Sequence, residues 1–445
     1  MYQTQTTKEK ICLFFKLFFP ILIYQFANFS ATFIDTMMTG QYNTTDLAGV
    51  SMGSSLWNPF FYLLTGIVSA LVPIVGHHLG RDKKENIRAE LHHFVYLALM
   101  LVGVLFILVF CGAIPALAIF GLEPHVLEVG QAYLRLMTIG ILPLLLFSVF
   151  RSFFNALGLT HLSMYLMLLL VPFNSFFNYV LIYGKFGFPR MGGAGAGLGT
   201  SLSYWLLLLV VVGVMLLHPK IRSYQIWQPT TFRLELLTEA LRLGLPIGLQ
   251  IFAEVAIFAV VGLLMSKFSS QVIAAHQSAM NFTTLLYVFP LSISTTMPIT
   301  IAYEVGAKRY KDAREFAKIG RYVALGFAMM TLTILFFIRS EVASLYGSDP
   351  DFISLTSRFL VFAFFFQLAD TYAVPLQGIL RGYKDTTMPF IIGVSSYWSI
   401  ALPLALALDW LTPLGPVAYW IGLTTGIFVC GLMLHIRLLK ILKQF

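Results

Sequence analysis

Apolar runs long enough to cross a bilayer recur along the whole of this chain, and they constrain its fold more than any other feature. A helix needs about 20 residues to span the hydrocarbon core. Twelve runs bounded by charge reach that length: 11–40, 47–78, 91–112, 130–152, 162–184, 192–217, 236–266, 273–303, 316–339, 355–380, 388–409 and 414–438. Only 11% of the 445 residues are charged and 58% are hydrophobic, with a mean hydropathy of +0.81. A soluble domain is about a quarter charged, so this chain has too little polar surface to face water. Disordered, collagenous and small secreted classes are excluded on the same ground. The first run continues past the length of a signal peptide and is expected to remain as a membrane helix. Cys12, Cys111 and Cys430 sit in apolar runs, with neither a disulfide pattern nor zinc-ligand spacing.

The 29 basic residues set an orientation. With the N-terminus inside, all of them except Arg135, Lys185, Arg190, Lys267, Arg339 and Arg358 fall on the inner side. Basic loops lie on the bacterial cytoplasmic side, which places both termini in the cytoplasm of a multi-pass inner-membrane protein. This asymmetry explains the net charge of +9 without any nucleic-acid partner.

The chain also repeats itself. One ungapped shift of 226 residues sets Pro20 on Pro246, Phe26-Ala27 on Phe252-Ala253, Gly80 on Gly306, and Gly121-x-x-Pro124 on Gly347-x-x-Pro350. The expected fold is an all-α integral membrane protein, with twelve transmembrane helices in two pseudo-symmetric six-helix bundles. The N-terminal lobe would cover 1–218, a cytoplasmic linker 219–235, and the C-terminal lobe 236–445. Duplicated bundles of this kind commonly enclose a substrate path, which favours a transporter over a receptor or a membrane enzyme.

Most acids sit in loops or at helix ends, but Asp35, Glu254 and Asp370 lie inside apolar runs. An ionised carboxylate at a helix centre costs roughly 2.5–3.5 kcal/mol on insertion scales. Such residues should face a water-filled interior or a partner, as an ion or proton site, although a structural hydrogen bond between helices would also hold them. Under the 226-residue shift Asp35 meets Val261, Glu254 meets Asn28 and Asp370 meets Leu144, so the backbone is duplicated and the chemistry is not. Asn174 and Asn178 share one helix face. With Asp35 and Thr200 they offer one charge and several neutral oxygens, a set suited to a monovalent cation or a proton; interhelical hydrogen bonding is the alternative. Gln277, Asn281 and Tyr287 on the eighth run could serve Glu254 and Asp370. Pro20 and Pro246 are hinge candidates, because proline frees a carbonyl within a membrane helix.

Other features read as packing. Gly193-x-Gly195-x-Gly197-x-Gly199 opens a membrane helix and follows no strand, so it is no dinucleotide fingerprint. His77-His78 and His92-His93 flank a basic loop and read as interfacial imidazoles before metal ligands. No H-E-x-x-H, P-loop or G-x-S-x-G is present. Without an ATP site, uphill transport would draw on an ion gradient.

Several motifs carry a resemblance. Phe33-Ile34-Asp35-Thr36, Gly40 and Leu47-Ala48-Gly49-Val50-Ser51 resemble the first-helix signature of the MATE (multidrug and toxic compound extrusion) family. Ala274-Ala275-His276-Gln277, the run Gln377 to Thr386, and the segment Asn178 to Gly187 are similar to that family's other motifs. Acids at all three positions resemble its NorM-type branch. The resemblance implies a cation-coupled antiporter, acting as a monomer without a cofactor, that exports amphipathic or cationic compounds in exchange for Na⁺ or H⁺ by alternating access. It implies a second-lobe cation site at Glu254, Asp370 and Tyr287, which would hold Na⁺ if sodium is the coupling ion. It also implies a first-lobe polar cluster at Asp35, Asn174, Asn178 and Thr200. Some relatives carry Asp where this chain has Asn178, which lowers the charge of that cluster. The competing reading is a lipid-linked precursor flippase of the same broad superfamily; a polytopic membrane enzyme is more distant.

Overall fold

The computed structural model describes residues 4–444. Among them the regular structure is helical, and twelve helices are long and apolar enough to span a membrane. They are α1 (Thr7–Tyr42), α2 (Thr44–Gly80), α3 (Lys84–Ile119), α4 (Pro124–Ala156), α5 (Thr160–Tyr183) and α6 (Gly193–Leu217). The second six are α7 (Leu234–Lys267), α8 (Ser270–Gly306), α9 (Tyr310–Ser344), α10 (Pro350–Gly382), α11 (Thr387–Leu411) and α12 (Val417–Gln444). Each matches one of the twelve apolar runs.

Four spans change pitch or break just ahead of a proline; α9 in addition kinks at Ile338, where no proline is near. A proline ring clashes with the carbonyl four residues earlier and cannot donate to it. In α2 the helix breaks between Ser69 and Leu71, ahead of Pro73. A π-helical turn over Leu108–Ala113 precedes Pro115 in α3, and a second over Ser395–Ala401 precedes Pro403 in α11. A 3₁₀ turn over Thr138–Gly140 precedes Pro143 in α4. There the carbonyl of Ile139, four residues before Pro143, accepts a 2.9 Å hydrogen bond from the indole of Trp205 on α6. A neighbouring helix thus satisfies the group that proline releases, as lipid requires.

The chain forms two compact units. One contains Phe19–Gly248; the other contains the residues up to Phe18 together with those from Leu249 onward. The division therefore falls inside α1 and α7, whereas the lobes expected from the sequence part at the 219–235 linker. Local contacts explain the difference. At the start of α1, buried Lys10 pairs with Asp312 at 2.6 Å and with Glu315, both on α9, and Phe18 packs on Phe327 at 5.6 Å. At the start of α7, Gly244 and Gly248 lie so close to α2 that added Cβ atoms would stand 2.3 Å from the Ile67 carbonyl and 2.4 Å from that of Leu63. Pro20 and Pro246 are each two residues from the division.

The 219–235 segment is tied to the first unit. His92 bridges the Ile226 carbonyl and the Thr230 hydroxyl, each at 2.7 Å. His93 donates from Nδ1 to the Ala89 carbonyl and accepts the Arg233 amide at Nε2. These imidazoles act as structural anchors.

Small-residue packing of α7 on α2 makes a testable demand. Gly248→Ala should lower the unfolding temperature of the purified protein, at a cost of about 1–3 kcal/mol for overpacking. An unchanged melting temperature in detergent would show that the α2–α7 contact is loose.

Candidate functional site

Each unit carries one polar cluster built around membrane-embedded carboxylates. In the first unit, glycines on α6 let it press against its neighbours. An added Cβ at Gly195 would stand 2.8 Å from the backbone of Leu181, and one at Gly199 would stand 2.3 Å from Asn178 Oδ1. That approach brings Thr200 to Asn174, whose Nδ2 donates to Thr200 Oγ1 at 3.2 Å. Thr200 donates in turn to Asp35 Oδ2 at 3.5 Å. Asn178 Nδ2 donates to Asp35 Oδ1, in a short contact, and to Asn174 Oδ1 at 3.3 Å. The four residues form a closed ring in which Asp35 only accepts. Asn174 and Asn178 are buried, and Asn178 Oδ1 has no hydrogen-bond partner. No cation of the protein pairs with Asp35 among the described residues, so the cluster presents acceptor oxygens around one carboxylate.

Asp46 has a different task. Its carboxylate accepts the Gly193 amide at 2.7 Å, capping the first turn of α6, and pairs with His125 at 2.7 Å. An acid at a helix N-terminus is stabilising in its own right, and Asp46 needs no further role.

In the second unit, Glu254 lies near the middle of α7. Its Oε1 accepts from Gln250 Nε2 at 3.2 Å and from Gln377 Nε2 at 3.0 Å. Gln250 is one turn earlier on the same helix. Gln377 is on α10 beside Gly378, where an added Cβ would stand 2.2 Å from the Ser294 carbonyl of α8. Asp370, buried on α10, lies within electrostatic range of Glu254, so the two would repel each other wherever both are ionised. Arg381, at the end of α10, is within electrostatic range of Glu254 and of Tyr287. Its Nε is buried without a hydrogen-bond partner. Tyr397 is buried in the π-helical turn of α11, in range of Glu254, Asp370, Tyr287 and Cys430. The neighbouring Trp398 donates to the Ala253 carbonyl at 3.3 Å and ties that turn to α7.

The structure brings together Asp35, Asn174, Asn178 and Thr200 by hydrogen bonds. It places Glu254 and Tyr287 in electrostatic range of Arg381, and Glu254, Asp370 and Tyr287 in range of Tyr397. Gln277 and Asn281 are elsewhere. They line a separate pocket of about 480 Å³ with Tyr346, whose hydroxyl donates to Asn281 Oδ1 at 2.9 Å. They sit in the first three turns of α8, short of Tyr287.

Sequence reading did not reach Gln250, Gln377, Arg381 or Tyr397 as site residues. A signal for three of them existed. Asp370, Gln377 and Arg381 recur at i, i+7 and i+11, hence on one helix face, and Gln250 is i−4 to Glu254. Arg381 is one of the inner-side basic residues by sequence, yet it lies in electrostatic range of Glu254.

The second cluster makes opposite demands on stability. Gln377→Leu removes a donor from the half-buried Glu254 carboxylate and should destabilise by about 1–3 kcal/mol. Asp370→Asn removes a like-charge repulsion and should raise the unfolding temperature or leave it unchanged. Equal losses in both variants, measured by thermal unfolding in detergent, would make Asp370 a structural residue.

Comparison with known proteins fits this geometry. The MatE family model matches the chain twice, over residues 20–180 and 246–407, so its two copies begin 226 residues apart, the same offset as the internal repeat. A protein of Streptococcus pneumoniae (strain ATCC BAA-255 / R6), described as a probable multidrug resistance protein NorM, is 58% identical over 445 residues, covering 100% of this chain and 98% of that one. Among solved structures, the eukaryotic MATE transporter AtDTX14 matches with a TM-score of 0.85 at 18% identity, covering 97% of this chain and 96% of that one. An outward-facing multidrug resistance MATE family transporter of the MOP superfamily matches with a TM-score of 0.85 at 18% identity, covering 99% and 98%. A twelve-helix fold, a duplicated family model and full-length identity of this order lead to one conclusion: the chain belongs to the MATE (MatE) family of membrane transporters and is not an enzyme.

Proposed function

We propose that this protein is a multidrug exporter of the bacterial plasma membrane that moves amphipathic or cationic compounds outward in exchange for Na⁺. The observation that carries this reading is the Glu254–Asp370 pair. Two carboxylates share one interior with only amide donors on Glu254 and one arginine in range. Two such acids cannot both stay ionised without a cation or a proton. A bound Na⁺ would take oxygen ligands from Glu254 and Asp370, with Tyr287 close by. Arg381 offsets part of the charge, so one monovalent cation completes the balance. The name borne by the Streptococcus relative supports the drug-export part of the reading.

In this mechanism a cationic compound and the coupling ion compete for the same negative charge. Each shifts the transporter only through a difference in affinity between its two states. The membrane potential adds about 2.3 kcal/mol per charge per 100 mV to inward cation movement. Pro20 and Pro246 are proposed as the hinges, a reading supported by the compact units parting beside them. The Asp35 ring is proposed as a second site for a cation or proton, with Asn178 fixing its single charge.

Two measurements test this. Glu254→Gln and Asp370→Asn should each abolish active efflux of a cationic dye from cells at unchanged expression, and Asp35→Asn should weaken it. Full efflux in all three variants would make these acids structural. For orientation, Lys185→Cys should react with an impermeant maleimide on intact cells and Lys83→Cys should not, in a background lacking the exposed Cys12 and Cys111. The reverse labelling would invert the topology.

A further inference from the structure

Outside the acid clusters the second unit holds a groove of about 800 Å³ between α9, α10 and α12. Its walls are mainly apolar and include Leu325, Phe365, Leu368, Phe428 and Leu432. Two cations, Lys318 and Arg321, line one end, and no carboxylate lines any part of it. Neither cation pairs with an acid among the described residues. Arg321 makes only a 3.3 Å hydrogen bond from Nε to the Ala317 carbonyl of its own helix, and Lys318 is exposed. Tyr372, which lines the groove, is stacked on His435 at 6.0 Å, and the buried Nδ1 of His435 has no hydrogen-bond partner.

The geometry points to a binding site for an anionic phospholipid, with the phosphate on Arg321 and Lys318 and the acyl chains along the groove. Depth is the first argument. From Lys318 to Ala328, the two ends of the α9 wall, ten residues of helix rise about 15 Å. That is half of a roughly 30 Å hydrocarbon core, so the groove has the reach of one leaflet. Charge is the second. A guanidinium at the edge of the apolar zone needs an anion, and the protein supplies none. Basic pockets between transmembrane helices take lipid headgroups for this reason. The same charge disfavours the cationic compounds proposed as cargo, so the groove and the acid clusters select opposite ligands. Tyr372, on the groove wall, lies in electrostatic range of Arg321, so its ring and hydroxyl stand on the same stretch of wall as the proposed headgroup site.

The test is native mass spectrometry of the full-length protein, released from detergent after titration with phosphatidylglycerol or with phosphatidylcholine of identical chains. One phosphatidylglycerol should be retained at least ~10-fold better than phosphatidylcholine, the factor expected from a charged hydrogen bond. Arg321→Gln should reduce phosphatidylglycerol to the level of phosphatidylcholine, and Lys318→Gln, at an exposed position, should reduce it in part. Leu325→Trp, which fills the groove without changing charge, should lower retention of both lipids. Lys311→Gln, on the same helix outside the groove, should change nothing. Equal retention of the two lipids would overturn the assignment. So would phosphatidylglycerol binding that survives both Arg321→Gln and Leu325→Trp.

Discussion

Two carboxylates inside the membrane span, Glu254 and Asp370, lie within electrostatic range of each other and are the constraint on which the proposed mechanism depends. Burying an unpaired charge costs more than any single hydrogen bond returns, so a fold would not retain two neighbouring acids for stability. The surrounding residues limit the cost without removing it. Gln250 and Gln377 donate to one oxygen of Glu254, and Arg381 lends a distant positive charge. None of them forms an ion pair with Asp370. The first unit solves a related problem more cheaply, with one acid and a ring of neutral donors. The two clusters draw on only partly matching helices of the repeat, α1, α5 and α6 in one unit and α7, α8, α10 and α11 in the other, and share no residue type at equivalent positions.

Proline and glycine supply the geometry that these clusters need. Pro403 forces the π-helical turn that carries Tyr397 and Trp398, which places Tyr397 in range of both acids and ties Trp398 to the backbone next to Glu254. Gly378 and Gly199 let backbones approach until a neighbouring side chain's polar atoms fall within reach. Pro20 and Pro246, by contrast, leave their helices continuous and stand where the compact units divide. The same residue type therefore serves as a local distortion in some spans and, in the proposed mechanism, as a hinge in two others.

Much of this is legible in the sequence. Hydropathy marked all twelve spans, because lipid admits few ways to satisfy a backbone. The 226-residue repeat reappears as the spacing of the two family-model matches. Asp35, Asn174, Asn178 and Thr200 could be grouped because a charged residue in an apolar run must find polar company. Tyr397 was not legible, since helical periodicity assumes 3.6 residues per turn and the π-helical turn resets the phase of everything beyond it. Gln277 and Asn281 share a helix with Tyr287 but stand roughly two to three turns nearer its start, where they line a pocket with Tyr346. The division inside α1 and α7 was equally hidden, because loop composition marks the 219–235 segment while the packing of Lys10 and Gly248 decides which unit each helix end joins.

The central claim is that a sodium ion, together with Arg381, balances the charge of the Glu254–Asp370 pair and that its inward movement drives export. It is tested most directly in proteoliposomes with equal pH on both sides, where a Na⁺ gradient is imposed opposite to the movement of a cationic dye. The account predicts uphill dye transport that collapses when the Na⁺ gradient is removed and is absent in Glu254→Gln. Dye transport indifferent to Na⁺ but fully driven by a pH gradient would contradict it, as would Na⁺-driven transport that persists in Glu254→Gln.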